Sequence, residues 1–263
     1  MSNERKLVMS TALPIAVQLY SLRNLQMPFD QLLGEVAAIG YRGVETTSNH
    51  GCTADEMRKL LEKHHLQVAS QHAGLPSLEA DLANVIAFNK AIGNTTLVVP
   101  WIPEAARSTG AAGWLQLGHK LNEIGERCRA AGVRLLYHNH AFEMIEVEGR
   151  LAIDWLLEGA DAHNLGFEID LAWVQRGGRD GVKLLKQYAG RCPRIHCKDL
   201  AAEGQNQDEM GFADVGYGVL DWAALLPAAK TAGAEWYIVE HDLPKEPLVS
   251  IRRSFTFLQQ RLA

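Results

Sequence analysis

The chain alternates, eight times over, between a short apolar run and a longer segment whose apolar residues recur at helical spacing. The strand-like runs span Ile15 to Ser21, Gly43 to Thr47, Val68 to His72, Thr96 to Trp101, Arg134 to His140, Gly166 to Trp173, Arg194 to Lys198 and Trp236 to Asp242. The helical segments are Phe29 to Ile39, Ala54 to His64, Leu78 to Ile92, Ala112 to Ala131, Ile153 to Glu158, Asp180 to Ala189, Trp222 to Ala232 and Leu248 to Leu262. Gly40, Gly93, Gly132 and Gly233 stand where a left-handed residue would stop a helix, and a strand follows almost at once. Right-handed crossovers leave few ways to wind eight such units. The expected fold is α/β, a (β/α)8 TIM barrel forming a single domain over residues 1–263, with an open doubly wound sheet as the second choice. Against the second choice, Gln18-Leu19-Tyr20-Ser21 follows the first strand where a Gly-x-Gly-x-x-Gly phosphate loop would stand. The longest irregular connection runs from Ala201 to Val219, a length that suits a lid or a loop tip.

In a barrel, active sites gather at the carboxyl ends of the strands, and polar residues cluster there in this chain. Four runs end in Tyr137-His138-Asn139-His140, Glu168-Ile169-Asp170, His196-Cys197-Lys198 and Glu240-His241-Asp242. Such clusters on apolar strands are costly unless metal, substrate or hydrogen bonds satisfy them. Strand alternation puts Glu168 with Asp170, His138 with His140, His196 with Lys198 and Glu240 with Asp242, each pair on one face. Carboxylates and imidazoles converging from separate strands make a divalent metal site, with Mn2+, Co2+, Mg2+ and Zn2+ all open. Glu45 and His72, at the ends of the second and third strands, either line the same pocket or brace it. Trp101 and Trp173 are either core aromatics or platforms for the apolar face of a sugar ring.

The segments Tyr137-His138-Asn139-His140-Ala141-Phe142-Glu143, Asp170-Leu171-Ala172-Trp173, Ile195-His196-Cys197-Lys198-Asp199, Val215 to Trp222 and Val239-Glu240-His241-Asp242 resemble the sugar phosphate isomerase/epimerase superfamily with the xylose isomerase-like barrel. The resemblance implies a metal held by an acidic residue after the fifth strand together with Asp170, His196 and Glu240. At the first position the chain departs from the simplest pattern: counting from Gly132 reaches His138, while Glu143 lies just beyond. Glu143 is the favoured ligand, folded back over the mouth, and His138 its competitor. The expected chemistry is isomerisation or epimerisation of a sugar, in which the ion holds a carbonyl and its neighbouring hydroxyl and lowers the cost of an enediolate. His138 or His140, or Glu143 if it is not a ligand, is the expected base. Lys198 is expected to steady the negative charge.

A rival reading begins with the same proton abstraction and ends by losing a β leaving group, as in a metal-dependent dehydratase or lyase acting on an inosose or a 3-keto sugar. Two further readings are an abasic-site endonuclease and a non-catalytic sugar-binding subunit. A net charge of −5 argues against a nucleic-acid partner. The expected partner is a small sugar or cyclitol, with homo-oligomerisation left open. Cys52, Cys128, Cys192 and Cys197 show no metal-binding spacing and fit reduced thiols in a cytoplasm. Pro14 and Gln18 interrupt the apolar stretch Leu7 to Leu22, so it reads as a first strand and not as an export signal. No run approaches the length of a membrane span.

Overall fold

In a computed structural model that describes residues 14–104, 107 and 110–262, the eight expected strands close into a parallel barrel. They are β1 (Ile15–Gln18), β2 (Gly43–Thr46), β3 (Gln67–His72), β4 (Thr96–Val99), β5 (Arg134–His138), β6 (Leu165–Asp170), β7 (Arg194–Cys197) and β8 (Trp236–Val239). Each pairs with its sequence neighbours, and β8 closes on β1 with Ala16 opposite Ile238. Outside it lie α1 (Phe29–Ile39), α2 (Ala54–Lys63), α3 (Leu75–Ala91), α4 (Ala111–Ala130), α5 (Ala152–Glu158), α6 (Leu171–Arg176), α7 (Gly181–Gln187), α8 (Trp222–Thr231) and α9 (Pro247–Leu262). Among the described residues no helix is long and apolar enough to cross a membrane.

Alternation along the strands separates two environments. Val17, Val44, Leu97, Leu135, Phe167, Ile195 and Tyr237 point outward and join one large core with the helices. The barrel interior holds a much smaller apolar cluster of Ala16, Ala69 and Ile238. Near the amino-terminal end, Arg194 crosses the interior: its Nε donates to the Ala69 carbonyl at 3.0 Å, and Nη2 to Thr96 Oγ1 at 3.2 Å. Val98 and Leu136 add two more buried apolar side chains on the inward faces of β4 and β5, and polar side chains fill the carboxyl-terminal end.

Several strands stop earlier than the alternation predicts. The chain turns into a 3-10 helix at Leu19–Leu22 after Gln18, whose side chain accepts from the Tyr20 amide. After β6, the Asp170 carboxylate accepts from the Trp173 amide at 2.8 Å and starts α6, so Ala172 and Trp173 are helical and not on the strand. The segment expected to be irregular after β7 is pinned by antiparallel pairing of Asp199–Leu200 with Phe212–Ala213. Asp199 anchors its far end, accepting from the amides of Gly216, Gly218 and Leu220 and from Trp222 Nε1 at 2.7 Å.

Candidate metal centre and active site

The register that sets His138 beside Glu168 and Asp170 beside His196 brings the polar strand ends to one height. His138, Asp170, His196 and Glu240 each offer one ligand atom, and all four atoms lie within 4.8 Å of one another. His72, His138, Glu168 and His196 form a second grouping that overlaps the first. Asn139 ties the ends of β5 and β6 together: its Oδ1 accepts from the Asp170 amide at 2.9 Å and its Nδ2 donates to the Asp170 carbonyl at 3.3 Å.

Two buried carboxylates organise the imidazoles from below. Glu45 Oε2 accepts from Gln18 Nε2 at 2.6 Å and lies 2.7 Å from His196 Nε2 and 3.0 Å from His72 Nε2, while Oε1 accepts from Ser70 Oγ. Glu168 Oε1 lies 2.9 Å from His72 Nε2 and 3.0 Å from His196 Nε2. On the other side of the ring, His196 Nδ1 stands 3.1 Å from Glu240 Oε2. Burial opposes a charge on His72, but Glu45 and Glu168 outweigh it and raise its pKa to about 10. Burial and Glu45 push Glu168 up, and the facing His196 and His138 pull it down to about 2.

His138 and His140 behave differently because no carboxylate compensates them fully. Burial, followed by the charge of Lys198, pushes His140 down to about 3, and burial with the charge of His196 pushes His138 well below its usual range. Both rings are neutral at pH 7. Lys198 is buried with Nζ at 2.7 Å from Glu240, 2.9 Å from Asp242 and 3.2 Å from Asp170. Burial disfavours its charge, but Asp170, Asp242 and Glu240 raise its pKa and hold it as an ammonium.

Neither His138 Nδ1 nor Asp170 Oδ2 makes a hydrogen bond, although Glu168 Oε1 and Lys198 Nζ respectively lie 3.2 Å away. Buried polar atoms left in this way are costly. Two imidazoles and two carboxylates, with two of their atoms unsatisfied, fit a divalent cation.

Glu143 does not fold back over the mouth as the sequence suggested. A 3-10 turn over Ala141–Met144 carries its carboxylate into the core outside the barrel, where Oε1 accepts from Tyr137 Oη at 2.7 Å and Oε2 from the His140 amide at 2.8 Å. Neither ligand grouping includes it. Glu45 braces the imidazoles from full burial, and His72 does the same from a position on the cavity wall. Trp101 and Trp173 also line that cavity, which encloses about 560 Å³ at the mouth. Glu168 was missed as a site residue, although it shares the inward face of β6 with Asp170. Tyr20, Arg23 and Met210, also in the wall, carried no sequence signal.

The fold and site together define a (β/α)8 barrel with a metal-binding type of donor set at the carboxyl ends of β5 to β8. The chain belongs to the xylose isomerase-like TIM barrel family, whose profile matches residues 33–261. It is similar to an inosose dehydratase of Lacticaseibacillus casei, at 23% identity over 254 residues, covering 82% of this chain and 83% of that one. Among solved structures, a sugar phosphate isomerase/epimerase from Parabacteroides distasonis superposes with a TM-score of 0.80 at 20% identity, covering 96% of both chains. The IOLI protein, solved with a bound zinc atom, superposes with a TM-score of 0.75 at 17% identity, covering 95% of this chain and 99% of its own.

Proposed function

We propose that this chain is a metal-dependent lyase that removes the proton next to the carbonyl of a keto-cyclitol or keto sugar. The observation that carries the reading is the convergence of His138, Asp170, His196 and Glu240 within 4.8 Å, beside the neutral His140 in the cavity wall. His138, and not Glu143, is the fourth ligand. A divalent ion held by these residues would act as a Lewis acid on the substrate carbonyl. His140 lines the cavity as a neutral ring and serves as the base. Lys198, kept charged by three carboxylates, favours negative charge building on the substrate oxygen. The proton on His140 then passes to the departing β-oxygen as the carbon–carbon double bond forms and the carbon–oxygen bond breaks. An isomerase or epimerase would share the first step and return the proton to carbon. Elimination is preferred because curated relatives from several bacteria are named inosose dehydratases.

Incubation with inositol ketones and keto sugars in D2O should label the carbon next to the carbonyl and produce an enone absorbance. His140→Gln should slow both by about a hundredfold or more, and Glu240→Gln should abolish both. Labelling without an enone would assign an epimerase. No exchange with any metal-loaded sample would sink the proposal.

A further inference from the structure

The cavity is large for one ring: about 560 Å³ falls within the range for drug-sized ligands, and a single six-membered polyol fills a minor part of it. Its wall divides by exposure. His138 and Glu240 are buried, whereas Tyr20, Trp101 and Met210 are 41%, 46% and 47% exposed. Large apolar side chains scattered singly over a surface need no explanation, but three gathered on one cavity do. Tyr20 is also held in place: Arg23 stacks 3.7 Å from the centre of its ring and donates to its carbonyl at 2.8 Å. Beside Trp101, the Arg107 guanidinium stacks on Phe142 at 3.6 Å from its ring centre, lies 5.5 Å from the Trp101 ring centre, and is anchored by Nε to the Ile102 carbonyl at 3.0 Å. A ring fixed on one side by a cation, as Tyr20 is, offers its other face to a flat apolar group at little entropic cost, and Trp101 adds a second exposed ring beside it.

We infer that the substrate has two parts: a polyhydroxylated carbonyl-bearing ring at the buried polar end, linked to a second ring that lies against Tyr20 and Trp101 at the rim. This deepens the proposed function and rests on it for the first part. The second ring is either an aryl group or another sugar, since both present an apolar face to an aromatic platform.

Glucose, phenyl β-glucoside and cellobiose, titrated into the Mn2+-supplied protein by calorimetry, separate these sources. One or both conjugates should bind about tenfold more tightly than glucose, the scale of one aromatic stacking contact. The stronger conjugate identifies the second ring. That ratio should fall towards one in Tyr20→Ala and Trp101→Ala, whose exposure makes misfolding no explanation. A ratio near one in the wild type, a ratio unchanged in both variants, or no binding by any of the three overturns the rim subsite. Deuterium exchange into a free keto-inositol together with a ratio near one would overturn the subsite alone. A tenfold ratio without exchange would support the subsite and overturn the chemistry alone.

Discussion

Glu143 sits in the core beside Tyr137, and burial pushes its carboxyl up to about 7 against the hydrogen bonds from Tyr137 and the backbone. Its folded pKa therefore lies above the unfolded value near 4.5, so the stability it contributes is complete below pH 4.5 and is lost as pH rises through 7. At about 1.4 kcal/mol per pH unit, the swing is roughly 3 kcal/mol. A glutamine in its place would be neutral throughout and could still bond Tyr137 Oη and the His140 amide. Glu143→Gln should flatten the decline in stability between pH 4.5 and 7, measured by urea unfolding of the metal-free protein. An identical decline in both proteins would show that another group titrates. The same residue shows where reading by sequence stopped. Strand parity places His138 inside the barrel and Tyr137 outside, but parity ends with the strand. Whether a carboxylate five residues past His138 returns to the mouth depends on the Ala141–Met144 turn and on the Tyr137 hydroxyl, which gives it a buried partner.

The outer layer depends on backbones in contact. A Cβ on Gly125 of α4 would come 2.0 Å from the Asn164 carbonyl oxygen, and one on Gly118 would come 2.2 Å from that of Leu156. No side chain can rotate away from either contact. Asn164 immediately precedes β6, so relief requires moving the strand that carries Glu168 and Asp170. Gly125→Ala should cost about 1–3 kcal/mol, lowering Tm by roughly 2–4 °C for each kcal/mol; an unchanged Tm in calorimetry would refute the close approach. These contacts were invisible in sequence, because a helix-interior glycine does not reveal its neighbour. The strands and their inward faces were legible, since Phe167 and Ile169 alternate with Glu168 and Asp170. Their ends were not, because apolar residues such as Leu171 and Ala172 continue past Asp170 into the helix it caps.

Across the whole molecule, a cation at the proposed site would also act as a structural clasp. His138, Asp170, His196 and Glu240 come from β5, β6, β7 and the end of β8, half the barrel, and the unfolded chain scatters them. A cation seated on them binds the native state alone and should stabilise it by about 2.7 kcal/mol at a hundred times its Kd. For a chain of 263 residues that is a rise of roughly 5–10 °C in Tm when Mn2+ or Zn2+ is returned to protein stripped with EDTA. His138→Ala should remove at least half of the increment, since it deletes one of four donors. Glu143→Gln should keep it, because that carboxylate faces Tyr137 outside the barrel. Comparing the two increments decides which residue completes the ligand set. An increment retained in His138→Ala and lost in Glu143→Gln would require the 3-10 turn after β5 to open and carry Glu143 to the mouth when the cation binds.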